Sequence, residues 1–322
     1  MATHTSRVLF LIQLPPPIHG ASVVNNSIVN SLLINNAFKT KYINISPTKD
    51  IAEIGKFRFF KIIATFVIYF RSLIAYLKFQ PELVYLTISP HGFAFYKDGL
   101  LALLMKLLGA RLVFHMHGKG IYNETNKSWL KRKLYQIVFR NVNVIHLAES
   151  LFYDVEDVRD KKKSITVIAN GIASFDGIDD TPKDDKLTFI YLSNLIRSQG
   201  ADVLARAAGM IQADYQGRFQ VKIIGNSSDS QYSEDIKQII EKNPYNNIKL
   251  LGPKYGQEKI RELASSHVFV LPTRFKNECF PLSILEAMAA GLAVISTNEG
   301  AIPEIIDHGI TGDIIENCTP ED

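Results

Sequence analysis

Short runs dominated by Val, Ile, Leu and Phe recur along the chain and alternate with longer amphipathic stretches. In the first half they fall at residues 7–14, 83–87, 111–115, 142–147 and 164–168; in the second, at 187–192, 221–224, 248–251, 268–271 and 292–296. Runs this short and apolar read as strands buried on both faces. Between them, residues 21–34 and 97–108 place apolar side chains at helical spacing, the second stretch closing at Gly109. Strand and helix in alternation predict an α/β protein with parallel, doubly wound sheets. The series is interrupted once, by the polar, turn-rich segment DGIDDTPKDD at residues 176–185. The pattern therefore predicts a Rossmann-like domain over residues 1–175, a linker over 176–186 and a second Rossmann-like domain over 187–322, the two facing across a cleft.

Composition agrees with this picture. The chain has 322 residues, 47% hydrophobic and 21% charged, enough for two cores in an ordinary soluble protein. Its two cysteines, Cys279 and Cys318, are too few for a disulfide framework and have no zinc-ligand spacing, so a reducing cytoplasm is expected. The apolar run near the N-terminus contains Gln13 and stops at Pro15-Pro16-Pro17, which reads as a first strand and not as a signal peptide.

Charge changes the picture more. Residues 1–170 carry 22 Lys and Arg against 10 Asp and Glu, while the remainder carries 14 against 22. A basic half attracts anionic lipid headgroups, a diphosphate-bearing acceptor or nucleic acid. The basic residues are scattered among apolar helices with no nucleic-acid motif, which favours a membrane surface over nucleic acid. The clearest membrane candidate is residues 56–79. Its uninterrupted apolar run, 62–70, is shorter than the roughly 17–25 residues of a span. Arg58, Lys61, Arg71 and Lys78 among aromatic residues fit a helix lying in the interface, and a helix packed on the N-terminal sheet fits equally. Different faces of one helix satisfy both, giving a cytoplasmic protein peripheral to the membrane.

Candidate chemistry is densest between Arg274 and Gly312. Glu278 lies in a loop, Phe280-Pro281-Leu282 leads into an Ala-rich helical run, and Glu286 falls in that helix's second turn. Both carboxylates thus approach the helix N-terminus, whose N–H groups favour a phosphate. A nucleotide sugar suits such a corner; two solvated surface glutamates are the plainer alternative. The helix closes at Gly291, a short strand follows, and Asn298-Glu299-Gly300-Ala301-Ile302-Pro303-Glu304 opens another helix at Pro303. In the first half, Gly20 sits where a Pro-rich turn enters a helix, and His115 and His117 project to one side at a strand end. No third ligand joins the two imidazoles, so metal binding is not expected.

The segment ECFPLSILEAMAAGLAVISTNEGAIPEIIDHGITG, residues 278–312, resembles the signature of the family 4 retaining glycosyltransferases, which have the GT-B fold. The resemblance implies that Glu278 faces the donor sugar, that Glu286 binds the ribose, and that His117 contacts the sugar. It matches Gly20 to one of a glycine pair, with His19 in place of the other, and places Gly225 and Gly252 near the nucleotide. The chain departs from the family pattern where Arg and Lys clasp the diphosphate: the matching positions are Asn194 and Gln199, leaving Arg197 as the cation of that loop. The implied reaction moves a sugar from a UDP- or GDP-sugar to an acceptor hydroxyl with retention, in bacterial surface polysaccharide or lipid-linked glycan synthesis. The leaving phosphate takes the acceptor proton, and no cofactor or metal is expected, since no Asp-x-Asp triplet is present. A silent nucleotide-sugar binder and an epimerase or phosphorylase on the same fold are the alternatives. Family members continue into further helices beyond the position of Asp322, which implies a truncated C-terminal part.

Overall fold

The computed structural model describes residues 5–47, 59–175, 181–227 and 229–322. Lys56, Arg58 and residues 176–180 of the expected linker lie outside the described residues. The chain divides into two compact units, Met1–Asn170 and Gly171–Asp322.

The first unit is a parallel sheet of β1 (Arg7–Ile12), β2 (Lys39–Asn44), β3 (Leu83–Ile88), β4 (Leu112–Met116), β5 (Asn143–His146) and β6 (Ile165–Val167), in the order β2-β1-β3-β4-β5-β6. Its helices are α1 (Gly20–Asn30), α2 (Leu32–Ala37), α3 (Phe59–Phe79), α4 (Gly92–Leu107), α5 (Ile121–Asn126), α6 (Trp129–Phe139) and α7 (Tyr153–Glu156). Alternation along β1 sends Leu9 and Leu11 to the face covered by α3, α4 and α6, and Val8, Phe10 and Ile12 to the face of α1 and α2. Each large apolar side chain buried this way contributes about 1.5–3 kcal/mol.

Several expectations need correction. The helix expected over residues 21–34 is two helices, because Ser31 turns extended (φ −70°, ψ 113°) and its side chain accepts from the Ile34 N–H as an N-cap. The helix expected from residue 97 begins at Gly92, since Phe95 packs flat on Tyr135 in the core, ring centres 3.5 Å apart. Two edge strands lack the apolar signature: β2 reads Lys-Thr-Lys-Tyr-Ile-Asn and buries only Ile43, its lysines blunting an open edge. The segment opening at Gly312, which has no apolar run, is an edge strand of the second sheet.

The second unit repeats the plan with β7 (Leu187–Leu192), β8 (Phe219–Ile224), β9 (Ile248–Gly252), β10 (Val268–Leu271), β11 (Ala293–Thr297) and β12 (Gly312–Ile315), ordered β12-β11-β10-β7-β8-β9 and all parallel. The helices are α8 (Ala201–Ile211), α9 (Ser230–Glu241), α10 (Gly256–Ser265), α11 (Leu282–Ala289) and α12 (Ile302–Ile305). From β7 the chain builds outward to β9, then returns to lay β10 on the other side of β7. That reversal is the switch point at which open parallel sheets bind ligands, beyond the carboxyl ends of the strands.

At the same edge of the first sheet, polar rings enter the core. His115 is buried and hydrogen-bonded through Nδ1 to the Tyr85 hydroxyl; His146 is fully buried, and its Nδ1 accepts from the Leu147 N–H at 2.9 Å. The His117 ring lies 4.1 Å from that of His115, centre to centre. Burial, reinforced by the neighbouring histidines, pushes His115 well below its usual range; burial likewise pushes His117 and His146 down to about 4.

Two outcomes follow from this packing. A Cβ on Gly225 would lie 2.0 Å from the Ser193 carbonyl oxygen, so Gly225→Ala must shift the loop after β7. We expect it to cost about 2 kcal/mol or more, a drop of several degrees in the melting temperature read by calorimetry. Because His117 and His146 stay neutral in the folded state, their contribution is fully present above the unfolded value near 6.5 and fades as pH falls toward 4, where the unfolded chain binds protons that the folded chain refuses. Denaturant titrations between pH 7 and 4.5 should show stability falling, and His146→Asn should flatten that slope.

Candidate active site

In the second unit the loops after β7 and β10, neighbours at the switch point, carry the chemistry. Gln199 ends a short 3-10 turn after β7, is buried, and donates from Nε2 to Glu278 Oε2 at 3.1 Å. Glu278 lies in the loop after β10, whose Arg274 N–H donates to the Ser198 carbonyl at 2.6 Å and ties the two loops together. The glycine loop after β11 closes the corner from a third side. Gly300, at φ +62°, passes so near that a Cβ would stand 2.5 Å from the Glu278 carbonyl oxygen, and Ala301 N–H donates to the Cys279 carbonyl at 2.8 Å. The residue type is dictated by that approach.

Helix α11 starts from this loop. Pro281 is its N-cap residue, extended at φ −70° and ψ 120°, and no side chain caps the turn that Leu282 opens behind Phe280. Glu286 lies one turn in and pairs with Lys259 of α10 at 2.5 Å. Partial burial of this pair, 12% and 23% side-chain exposure, sets it apart from the solvated ion pairs of the surface. Lys259 had no signal in the sequence, since it stands 27 residues from Glu286 across β10 and only the layering of α10 beside α11 brings them together.

The remaining positions divide. Gly225 follows β8, and its N–H donates to the carbonyl of Gly252, at φ +70°, the end of β9; the two glycines are one strand-end junction. The Asn194 side chain is exposed, its backbone carbonyl accepting from the Tyr191 hydroxyl at 3.2 Å. Arg197, the cation expected for the diphosphate, instead pairs with Asp235 of α9 at 2.5 Å and lies over the Tyr232 ring. Its charge is engaged by α9.

In the first unit, Gly20 opens α1 with open space where a Cβ would be, and His19 caps the helix, its Nδ1 accepting from the Ser22 N–H at 3.3 Å. His117 follows β4 directly, with the Asn170 side chain beside it favouring the protonated ring against burial. His115 is held by Tyr85 inside the core, a structural role.

Comparison with known proteins places this arrangement. Residues 178–322 match the model of the family described as glycosyl transferases group 1. The chain is 29% identical over 131 residues to the amylovoran biosynthesis glycosyltransferase AmsK of Erwinia amylovora, covering 39% of this chain and 31% of that protein. It is 25% identical over 237 residues to the phosphatidylinositol N-acetylglucosaminyltransferase GPI3 subunit of Saccharomyces cerevisiae, covering 70% and 50%. The chain thus spans between about a third and a half of the length of these curated relatives. Among solved structures, a glycosyltransferase from Rickettsia africae superposes with a TM-score of 0.72 at 17% identity, covering 99% of this chain and 86% of that one. Anabaena Alr3699/HepE, solved with UDP and glucose, gives 0.68 at 15%, covering 98% and 87%. These likenesses show the two-sheet GT-B fold, and the unit that carries Glu278 and Glu286, just under half of the chain, is the part that matches the model of the glycosyl transferases group 1 family.

Proposed function

We propose that this protein transfers a sugar from a nucleoside diphosphate sugar to an acceptor hydroxyl with retention of configuration. The observation that carries the reading is the corner at the switch point, where Glu278 and Glu286 flank the uncapped start of α11. The solved complexes of the structurally similar HepE with UDP and UDP-glucose support a UDP-sugar as donor. In this reading Glu286, positioned by Lys259, accepts from ribose hydroxyls, and Glu278 accepts from the sugar. The N–H groups at the start of α11 meet the diphosphate. The resemblance gives His117 the orientation of the sugar, and its neutral ring offers one donor and one acceptor. The departing phosphate takes the proton of the attacking hydroxyl, and no metal takes part. A lipid-linked or surface glycan at the cytoplasmic face of a bacterial membrane is the acceptor class that the basic first unit supports.

A second reading, a binder with little turnover, is favoured by one observation: the two clasp positions are neutral, and the cation between them is held by Asp235. Charge building on the leaving diphosphate then lacks a cation at those positions, and a missing donor of this kind costs about a hundredfold in rate.

Two measurements separate the readings. Calorimetry with UDP and GDP should find micromolar binding of one of them and at least tenfold weaker binding in Glu286→Ala; absence of any nucleotide binding by the wild-type chain would refute both readings. Hydrolysis of the donor that binds should be slow in the wild type and about tenfold or more faster in Asn194→Arg/Gln199→Lys, with nucleotide affinity nearly unchanged. Binding with no turnover in either protein would decide for the silent reading.

A further inference from the structure

Helix α3 is long and apolar enough to cross a membrane by length and composition, a test its shorter run at residues 62–70 does not pass. Yet it is docked along one side. Ile68, Ser72 and Ala75 are buried against the first sheet, and the Tyr69 and Tyr76 hydroxyls donate to the Lys97 and Leu108 carbonyls of α4 at 2.9 and 3.2 Å. The opposite face carries Ile63, Phe66, Val67, Phe70 and Leu77, with Phe66 and Phe70 more than 60% exposed. Arg71 and Lys78 stand at one margin of that face, also exposed. A water-facing helix surface of this composition has no reason to exist in water.

The surface continues beyond α3. Helices α4 and α6 cover the same face of the sheet, and their outer stripes expose Tyr96, Leu100 and Leu107 on the one and Leu130 and Ile137 on the other. Trp129, the single tryptophan of the chain, is 71% exposed at the start of α6. Over residues 59–140 the chain carries twelve Lys and Arg against three Asp and Glu.

We propose that the outer face of the α3–α4–α6 layer is the docking surface for an anionic phospholipid bilayer. It rests for its purpose on the lipid-linked acceptor read above. The apolar ridge of α3 enters the acyl boundary while the helix lies parallel to the membrane, and Arg71 and Lys78 reach phosphate groups at its margin. Trp129 sits at headgroup depth, where indole rings are favoured. A second copy of the chain is the weaker occupant, because a face-to-face pair would bring two equally cationic layers together, whereas anionic lipid answers both the apolar ridge and the charge. Spanning is excluded by the bonds that hold the inner face of α3 on the sheet and α4.

The test uses the full chain with phosphatidylcholine vesicles, with and without 30% phosphatidylglycerol as a chosen anionic fraction of about one lipid in three. Cosedimentation and a blue shift of Trp129 emission should appear with the anionic vesicles and be at least tenfold weaker with the neutral ones. Phe66→Ser/Phe70→Ser and Arg71→Gln/Lys78→Gln, all at exposed positions, should each lower binding to anionic vesicles by roughly tenfold or more. Nucleotide binding, measured on the same variants, should be unchanged, so that failure of this surface is told apart from failure of the donor reading. The proposal is overturned if the wild type stays in the supernatant, if neutral vesicles bind as well, if either double variant binds like the wild type, or if Phe66→Ser/Phe70→Ser dissociates a dimer that ignores vesicles.

Discussion

The candidate site depends on one constraint, the parallel direction of every strand in the second sheet. Because β7, β8, β10 and β11 all end at the same edge, the loops that follow them meet there, and the return of the chain across β7 leaves the loops after β7 and β10 adjacent with no crossover between them. Gln199 and Glu278 are 79 residues apart in the chain and in hydrogen-bond contact for that reason. The close approaches at Gly225 and Gly300 are consequences of the same crowding: several loop backbones share one sheet edge, and a Cβ at either position would collide with a neighbouring carbonyl.

Electrostatics at that edge is asymmetric. Glu286 pairs with a cation, Lys259, and Glu278 accepts from a neutral amide, Gln199. A carboxylate opposite a sugar does not need a cation, but a diphosphate does, and the nearby guanidinium of Arg197 is bound to Asp235. In the proposed reading the leaving group meets the field of α11, a weaker and shorter-ranged source of positive charge than a lysine in contact. Under the proposed reading, this corner holds a nucleotide more securely than it assists its departure.

The first unit solves a different problem. Its sheet edge takes in three neutral histidines at the cost of acid stability, while the far side of one helix layer leaves apolar side chains in water. Both features disfavour an isolated, water-soluble optimum. Each is the kind of local conflict that a folded chain retains where a ligand or a surface completes it.

The alternation of strand and helix, the eight inner strands with the edge strands β6 and β9, and the Glu278 to Glu286 spacing were legible in the sequence, because apolar periodicity and helix punctuation are local properties of the chain. The resemblance of residues 278–312 added an expected family and an expected role for each glutamate. The other two edge strands, β2 and β12, were not legible, since a strand with one neighbour and an open side can do without an apolar run. Nor was Lys259, or the diversion of Arg197 to Asp235, because a side chain's partner is set by which helices lie side by side and not by distance along the chain. The sequence also held both readings of residues 56–79, and it took packing to divide the described part of that helix between them: one face was claimed by the sheet and α4, and the other was left apolar and, among the described residues, uncovered. Composition thus determined which residues must avoid water, and the tertiary structure alone decided which of them succeed.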